Sequence, residues 1–209
     1  MKTLVFSDVH GQYDALMEAL EASGYSKGDR LIVLGDMINY GSQSREVLEF
    51  LCVAKRSNPN CIFIRGNHEN MLIYSYENNN IKSLYDWMES MTGATTLRSY
   101  GYNKIDASVD VKTFLHKVFP EEHLNLLLNT VESHEEGEYR FVHIPEHKGS
   151  LIMVHGHEHE HQPIVGFLRI SIGITYGVAV LDIDKMVIRD NEGREFPVSQ
   201  KRLRRYPHI

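Results

Sequence analysis

Three short segments carry side chains suited to holding metal. Ser7-Asp8-Val9-His10 sets a carboxylate and an imidazole two residues apart, and in extended chain side chains at that spacing point the same way. Gly35-Asp36 adds a second carboxylate, able to bridge two ions, and Asn67 in Gly66-Asn67-His68-Glu69 a neutral amide oxygen. Six of the 12 histidines crowd into residues 143–161: His143, His147, His155, His157, His159 and His161. Oxygen and nitrogen donors in this mixture suit a pair of divalent ions, Mn, Fe or Zn rather than Ca, with Mn favoured. Taken singly, each residue has a plainer use, such as an Asp capping a helix or shaping a turn. Together with their glycines they favour a metal site.

The elements that must position these groups follow from apolar patterning. Leu4-Val5-Phe6, Leu31 to Leu34 and Cys61 to Ile64 are short apolar runs, each ending in one of the polar segments above. Between them, Tyr13 to Ala22 and Ser44 to Lys55 repeat apolar residues at helical spacing. Strands recurring about every 30 residues, with a helix between, are the βαβ pattern of a buried parallel sheet. Ligand sites in such sheets lie beyond the carboxyl ends of the strands, where these polar segments fall. Further helices are expected over Leu84 to Met91, Val109 to Phe119 and Glu121 to Val131, with Pro120 at a boundary. Strands return at Tyr139 to Val142, Leu151 to Val154, Leu168 to Ile172 and Val178 to Leu181, with hairpin turns at Asp182 to Lys185 and Asp190 to Gly193. With neither repeat nor linker, residues 1–209 read as one domain.

Composition excludes other classes. The 22 Lys and Arg against 28 Asp and Glu give a net charge of −6, which argues against a nucleic-acid-coating protein. The basic tail Lys201-Arg202-Leu203-Arg204-Arg205 reads as a solvated terminus. Cys52 and Cys61, without CxxC spacing, indicate neither a disulfide scaffold nor a thiolate metal site. No apolar run approaches the length of a membrane span, and Met1-Lys2 leads directly into a strand-like run rather than a signal peptide. A cytoplasmic setting is expected.

Ser7-Asp8-Val9-His10-Gly11, Gly35-Asp36 with Gly41, and Arg65-Gly66-Asn67-His68-Glu69 resemble, in order and spacing, the signatures of the metallophosphoesterases (calcineurin-like superfamily). More narrowly they resemble the phosphoprotein phosphatase branch, especially its small bacterial and bacteriophage serine/threonine phosphatases. Thr92 to Gly101, Phe141-Val142-His143, and Ile172-Gly173 with Tyr176-Gly177 extend the likeness over nearly the whole chain.

The resemblance implies an α/β fold of four layers, α-β-β-α, in which two mixed sheets lie face to face with helices outside. It also implies a two-metal site. By position, Asp8, His10 and Asp36 hold the first ion, and Asp36 bridges to a second completed by Asn67, His143 and His157. His159, the last residue of Gly156-His157-Glu158-His159, joins the first ion, and period-2 spacing points its ring the same way as that of His157. His155 and His161 share this parity. His147 lies in a loop that can touch substrate, while His116, His123, His134 and His208 read as solvent-exposed. A hydroxide bridging two such ions attacks phosphorus while the ions neutralise the phosphoryl oxygens. The resemblance makes His68 the acid that protonates the leaving oxygen. Arg65 has the chemistry to clamp phosphate, its plainer use being an ion pair with Glu69 or another carboxylate.

Two departures bear on the substrate, expected to be a phosphorylated small molecule, nucleotide or phosphoprotein. The branch usually ends its second signature Asp-Arg-Gly, where the Asp orients the catalytic histidine and the Arg grips phosphate. This chain has Asn39-Tyr40-Gly41. Asn39 can hydrogen-bond His68 but cannot stabilise an imidazolium by charge, and Tyr40 offers one hydroxyl to substrate. The stretch from His143 to Gly156 is also short for the branch. A phosphomonoesterase is the first expectation. A phosphodiesterase or dinucleoside polyphosphate hydrolase is the alternative, and a metal-binding pseudoenzyme the non-enzyme one.

Overall fold

A computed structural model describes residues 1–146, 149–166, 168–175 and 177–203. The first third alternates as its apolar runs require: β1 (Thr3–Phe6), α1 (Tyr13–Ala22), β2 (Arg30–Val33), α2 (Ser44–Ser57) and β3 (Ile62–Phe63). A helical middle follows, with α3 (Asn67–Glu77), α4 (Ile81–Ser90), α5 (Gly93–Ser99), α6 (Val111–Val118) and α7 (Glu121–Leu128). The remainder is mostly strand: β4 (Ser133–Glu136), β5 (Tyr139–Val142), β6 (Ile152–His155), β7 (Ile164–Gly166), β8 (Arg169–Ser171), β9 (Ala179–Asp182), β10 (Val187–Asp190) and β11 (Glu195–Pro197), then the short α8 (Gln200–Leu203).

Two mixed sheets result. The first runs β11-β10-β9-β1-β2-β3, with β1, β2 and β3 parallel and the hairpins of β9, β10 and β11 antiparallel. The second runs β4-β5-β6-β8-β7, parallel across β5, β6 and β8 with antiparallel edges. Alternation along each strand sorts the side chains into two cores. Leu4, Phe6, Leu31 and Val33 face Leu16, Leu20, Val47 and Leu51 of α1 and α2. Val5 and Ile32 face the other way, against Phe141, Val154 and Ile170 of the second sheet. Helical cover is concentrated on the first sheet, while α8 packs along β7 of the second.

Several elements differ from expectation, among them α5, β7 and β11, for which no helix or strand was expected, and three that bear on the site. Helix α7 stops at Leu128 rather than Val131 because Val131 instead pairs with the chain after β3, its N–H donating to the Phe63 carbonyl at 2.9 Å. Helix α3 begins at Asn67, in a polar segment for which no helix was expected, and its buried face starts with His68 and Glu69. The edge strand β4, Ser-His-Glu-Glu, buries none of its four residues fully, so no apolar signal marks it.

Candidate metal centre

The carboxyl ends of β1, β2 and β3 lie side by side, and the chain leaves β1 and β2 in sharp turns rather than extended runs. Asp8, His10 and Asp36 have φ of +55°, +45° and +54°, the left-handed region that costs a residue with a Cβ on the order of 1 kcal/mol or more. Expected parity in an extended chain is therefore not what aligns Asp8 with His10. Backbone bonds between the two turns do so instead: Asp8 N–H to Gly35 O at 3.1 Å, His10 N–H to Asp36 O at 2.9 Å and Gly11 N–H to Met37 O at 3.0 Å. His157 is also left-handed, at +63°. As a result His157 and His159 turn to different clusters rather than to one side.

Three clusters of side chains place ligand atoms within 4.8 Å of one another: Asp8, His10 and His159; Asp36, His143 and His157; and His10, Asp36 and His68. Asp36 is the hub. Its Oδ2 lies 3.2 Å from His143 Nε2, 3.6 Å from His10 Nε2 and 3.9 Å from His68 Nε2. Asn67 Oδ1 stands 3.0 Å from His143 Nε2 and 3.1 Å from His157 Nδ1. The close approach explains the glycines. A Cβ on Gly66 would overlap the Asp36 carboxylate, and one on Gly156 would overlap Ser7 Oγ and Asp8 Oδ2.

The hydrogen bonds behind the rings test whether this set fits a cation. His10 Nδ1 lies 3.2 Å from Ile38 O, His143 Nδ1 2.8 Å from Leu34 O and His159 Nδ1 3.4 Å from Ile174 O. A carbonyl only accepts, so each Nδ1 carries the proton and each Nε2 presents a lone pair. Those lone pairs face carboxylate or amide oxygens of Asp36, Asp8 and Asn67, which are lone-pair donors too. Only a proton or a cation satisfies both sides, and fixing the outer nitrogen on a carbonyl is how metal-binding histidines are oriented. The set fits. Burial favours neutral His143, yet the Asp36 carboxylate overrides it and holds the imidazole at about 9. Asp36 is correspondingly held down to about 2 against its own burial. A cation entering at neutral pH therefore displaces a proton.

His68 is built the other way round. Thr96 Oγ1 donates to Asn39 Oδ1 at 2.8 Å, which turns the Asn39 amide nitrogen toward His68 Nδ1 at 2.8 Å. Nδ1 then accepts, and the proton sits on Nε2, facing the cleft. Burial pushes its pKa below the usual histidine range, so the ring is a neutral donor rather than a ligand. Asn39 and Tyr40 are positioned by α5, Asn39 N–H on Thr96 Oγ1 at 2.9 Å and Tyr40 N–H on Thr92 Oγ1 at 3.0 Å. Neither threonine was singled out from the sequence, although both lie in the Thr92 to Gly101 segment noted there. The cleft, about 490 Å³, is lined by His10, Tyr40, Asn67, His68, His157 and His159 among others.

Other candidates lie elsewhere. Arg65 donates from Nε to Thr130 O at 3.2 Å and from Nη2 to the same carbonyl, in a pocket that adjoins the cleft and shares Asn67 and His143 with the candidate metal centre. It makes no pair with Glu69. That carboxylate is fully buried and accepts from the N–H groups of Asp36, Met37, Ile38 and Gly66 at 2.8 to 3.3 Å. This role, too, was missed. His155 is buried with Nε2 accepting from Arg169 Nε at 2.8 Å and Nδ1 on Gly156 O at 2.8 Å, so neither nitrogen is available to an ion. His161 is exposed and belongs to none of the three clusters. His123, expected at the surface, is 1% exposed. It is held between Tyr100 Oη at 2.7 Å and Glu49 Oε2 at 3.1 Å. His147, Tyr176, His208 and the tail's Arg204 and Arg205 lie outside the described residues. No helix among the described residues is long and apolar enough to cross a membrane.

Two facing mixed sheets thus gather carboxylates and imidazoles at their strand ends. The calcineurin-like phosphoesterase family model matches residues 1–165, and the chain belongs to that family. A serine/threonine-protein phosphatase of Candida albicans, PP2A-like PPG1, is 32% identical over 114 residues, 53% of this chain. The match takes in 27% of that relative's own length. Among solved structures, a candidate diadenosine tetraphosphatase superposes with a TM-score of 0.62 at 15% identity, covering 95% of this chain and 94% of that one. A metallophosphoesterase from Sphaerobacter thermophilus gives 0.53 at 19% identity, covering 88% and 84%. Both share the fold.

Proposed function

We propose that residues 1–209 act as one domain, a phosphomonoesterase of the protein-phosphatase kind working with two divalent ions, Mn favoured, in the cytoplasm. The observation that carries this reading is the opposition of lone pairs around Asp36 and Asp8: His10, His143 and His159 are anchored on carbonyls, His10 and His143 aiming Nε2 at Asp36 and His159 at Asp8. Asp8, His10, Asp36 and His159 would hold one ion, and Asp36, Asn67, His143 and His157 the other. Bound there, two ions supply a nucleophile at neutral pH and neutralise charge on the phosphoryl oxygens. The 32% identity to a serine/threonine-protein phosphatase supports the monoester reading. Hydrolysis of p-nitrophenyl phosphate is expected with added Mn²⁺ and is expected to fall to background with EDTA. No turnover of any mono- or diester with any divalent ion would sink the proposal.

The chain's own contribution to the chemistry centres on His68. With Nδ1 held by the Asn39 amide, the Nε2–H is directed into the cleft, where it can protonate the leaving oxygen. Asn39 sets the tautomer and Tyr40 borders the leaving group. Arg65, tied to Thr130, is better read as a structural residue than as a phosphate clamp. For His68→Ala we expect kcat for an alkyl phosphate to fall about 10²- to 10³-fold, and for p-nitrophenyl phosphate much less, since nitrophenolate leaves without a proton. Equal losses on both substrates would remove the proton-donor role.

A second reading is favoured by one observation. No lysine or arginine is among the described residues lining the cleft. A dianionic monoester loses more from that than a diester or a dinucleoside polyphosphate does, and the latter chemistry is the one named for the candidate diadenosine tetraphosphatase of similar fold. A panel of monoester, diester, phosphopeptide and dinucleoside polyphosphate separates the two readings.

A further inference from the structure

Among the described residues lining the cleft, Tyr40 is the exposed large hydrophobic one, 57% exposed beside a buried His10 and a buried His68. Its ring meets His10 edge to face at 4.8 Å between centroids and His68 at 5.2 Å, tilted by 57°. It thus borders both a candidate metal ligand and the proton donor. Backbone at this point resists an aromatic residue: Asn39 and Tyr40 are left-handed in succession, at +74° and +54°, a conformation that bulky side chains disfavour and glycine adopts freely. Bonds on both sides hold it, Tyr40 N–H to Thr92 Oγ1 at 3.0 Å and Gly41 N–H to His10 O at 2.8 Å. An exposed ring on a strained, pinned backbone is an outlier that points to function rather than to packing.

We propose that Tyr40 is a specificity surface for aromatic leaving groups, selecting phosphate esters whose ring lies at the ester oxygen or one carbon from it. This rests on the phosphomonoesterase reading above. Among the described residues lining the cleft there is no lysine or arginine, and Tyr40 is the largest neutral surface beside His68 for the part of the substrate beyond its phosphoryl group. Distance sets the class. A leaving oxygen within hydrogen-bond reach of His68 Nε2 lies next to the Tyr40 ring, because the two ring centroids are 5.2 Å apart. A ring joined directly to that oxygen, or through one carbon, meets Tyr40 at the 4.5 to 7 Å spacing that aromatic pairs favour. A nucleobase, held off by its sugar, starts farther out. An aryl phosphate such as the phosphotyrosine side chain is the chemical type that fits.

The test uses benzyl phosphate and cyclohexylmethyl phosphate, primary esters of similar size that differ in aromaticity. With the Mn²⁺-loaded protein we expect kcat/KM to favour the benzyl ester about fivefold. Tyr40→Leu, which keeps apolar area and removes the ring, should bring the ratio to about 1, and Tyr40→Phe should restore it. Calorimetric binding of the non-hydrolysable 2-phenylethyl- and 2-cyclohexylethylphosphonates should show the same ratio in Kd. An equal rate on the two esters, or a preference that survives in Tyr40→Leu, overturns the proposal while leaving the phosphomonoesterase reading intact. A Tyr40-dependent preference for adenosine 5′-monophosphate over ribose 5-phosphate, without one for the benzyl ester, overturns the placement of the ring beside the ester oxygen. Failure to hydrolyse either ester or to bind either phosphonate, by protein that turns over p-nitrophenyl phosphate, overturns this proposal alone; failure on every mono- and diester removes the phosphomonoesterase reading with it.

Discussion

Replacing Asp36 by Asn should cost the protein at least one bound ion and lower kcat about 10³-fold, roughly 4 kcal/mol of barrier. The carboxylate is the shared neighbour of three imidazoles, with Oδ2 at 3.2, 3.6 and 3.9 Å from the Nε2 atoms of His143, His10 and His68. An amide there offers a neutral oxygen or an NH₂ group that repels a cation, and in either orientation the negative charge between the two clusters is gone. Without that charge His143 also loses the partner that raises its pKa. The fold should survive. Asn Oδ1 can still accept the His68 N–H that Asp36 Oδ1 now accepts at 3.2 Å, and the turn itself is held by Glu69 rather than by Asp36. Metal content by elemental analysis, with thermal unfolding in EDTA as the control, checks both halves. If the histidines formed a storage tract of their own, the variant would retain its metal. Full metal content in Asp36→Asn would therefore undo the two-ion reading even if activity fell.

Much of this site was legible in the sequence because strand ends and apolar runs are local signals. The runs at residues 4–6, 31–34 and 61–64 became β1, β2 and β3, and Tyr13–Ala22 became α1 with the bounds its spacing suggested. What failed was geometry that no period encodes. Asp8 and His10 were aligned by an extended-chain argument, but left-handed turns bonded across to the β2 turn bring them together. Helix α3 escaped notice because its first turn buries His68 and Glu69 instead of apolar residues. A helix that delivers polar groups to a site lacks the stripe by which helices are recognised. His123 carries no spacing signal at all, since its partners Glu49 and Tyr100 come from distant elements. Of the six clustered histidines, His155 is taken up by Arg169 and Gly156, and the count alone overstated the ligand set.

Glu69 shows how much of the site is held by a residue that touches no ion. Its Oε2 accepts from Asp36 N–H at 2.8 Å and Gly66 N–H at 2.9 Å, and its Oε1 from Met37 N–H at 2.9 Å and Ile38 N–H at 3.3 Å. One carboxylate thus caps α3 and ties the turn after β2 to the turn after β3. Burial and the nearby Asp36 charge push its pKa up, while N–H donors on both oxygens favour the ionised form. Glu69→Gln keeps the shape and removes half of the acceptors, since an NH₂ group would then confront two backbone N–H groups in a fully buried place. Each buried donor left unmet costs about 1–3 kcal/mol, so we expect a loss of about 3 kcal/mol. In a chain of this size that lowers Tm by roughly 10 °C in EDTA. Because the turn carries Asp36, metal affinity should fall in the same variant although every proposed ligand is present. Glu69→Ala, which leaves all four donors unmet, should lose more. A Gln variant that melts within about a degree of the parent would mean that water or a relaxed turn satisfies those N–H groups, and that the turn around Asp36 is rigid without its buried carboxylate.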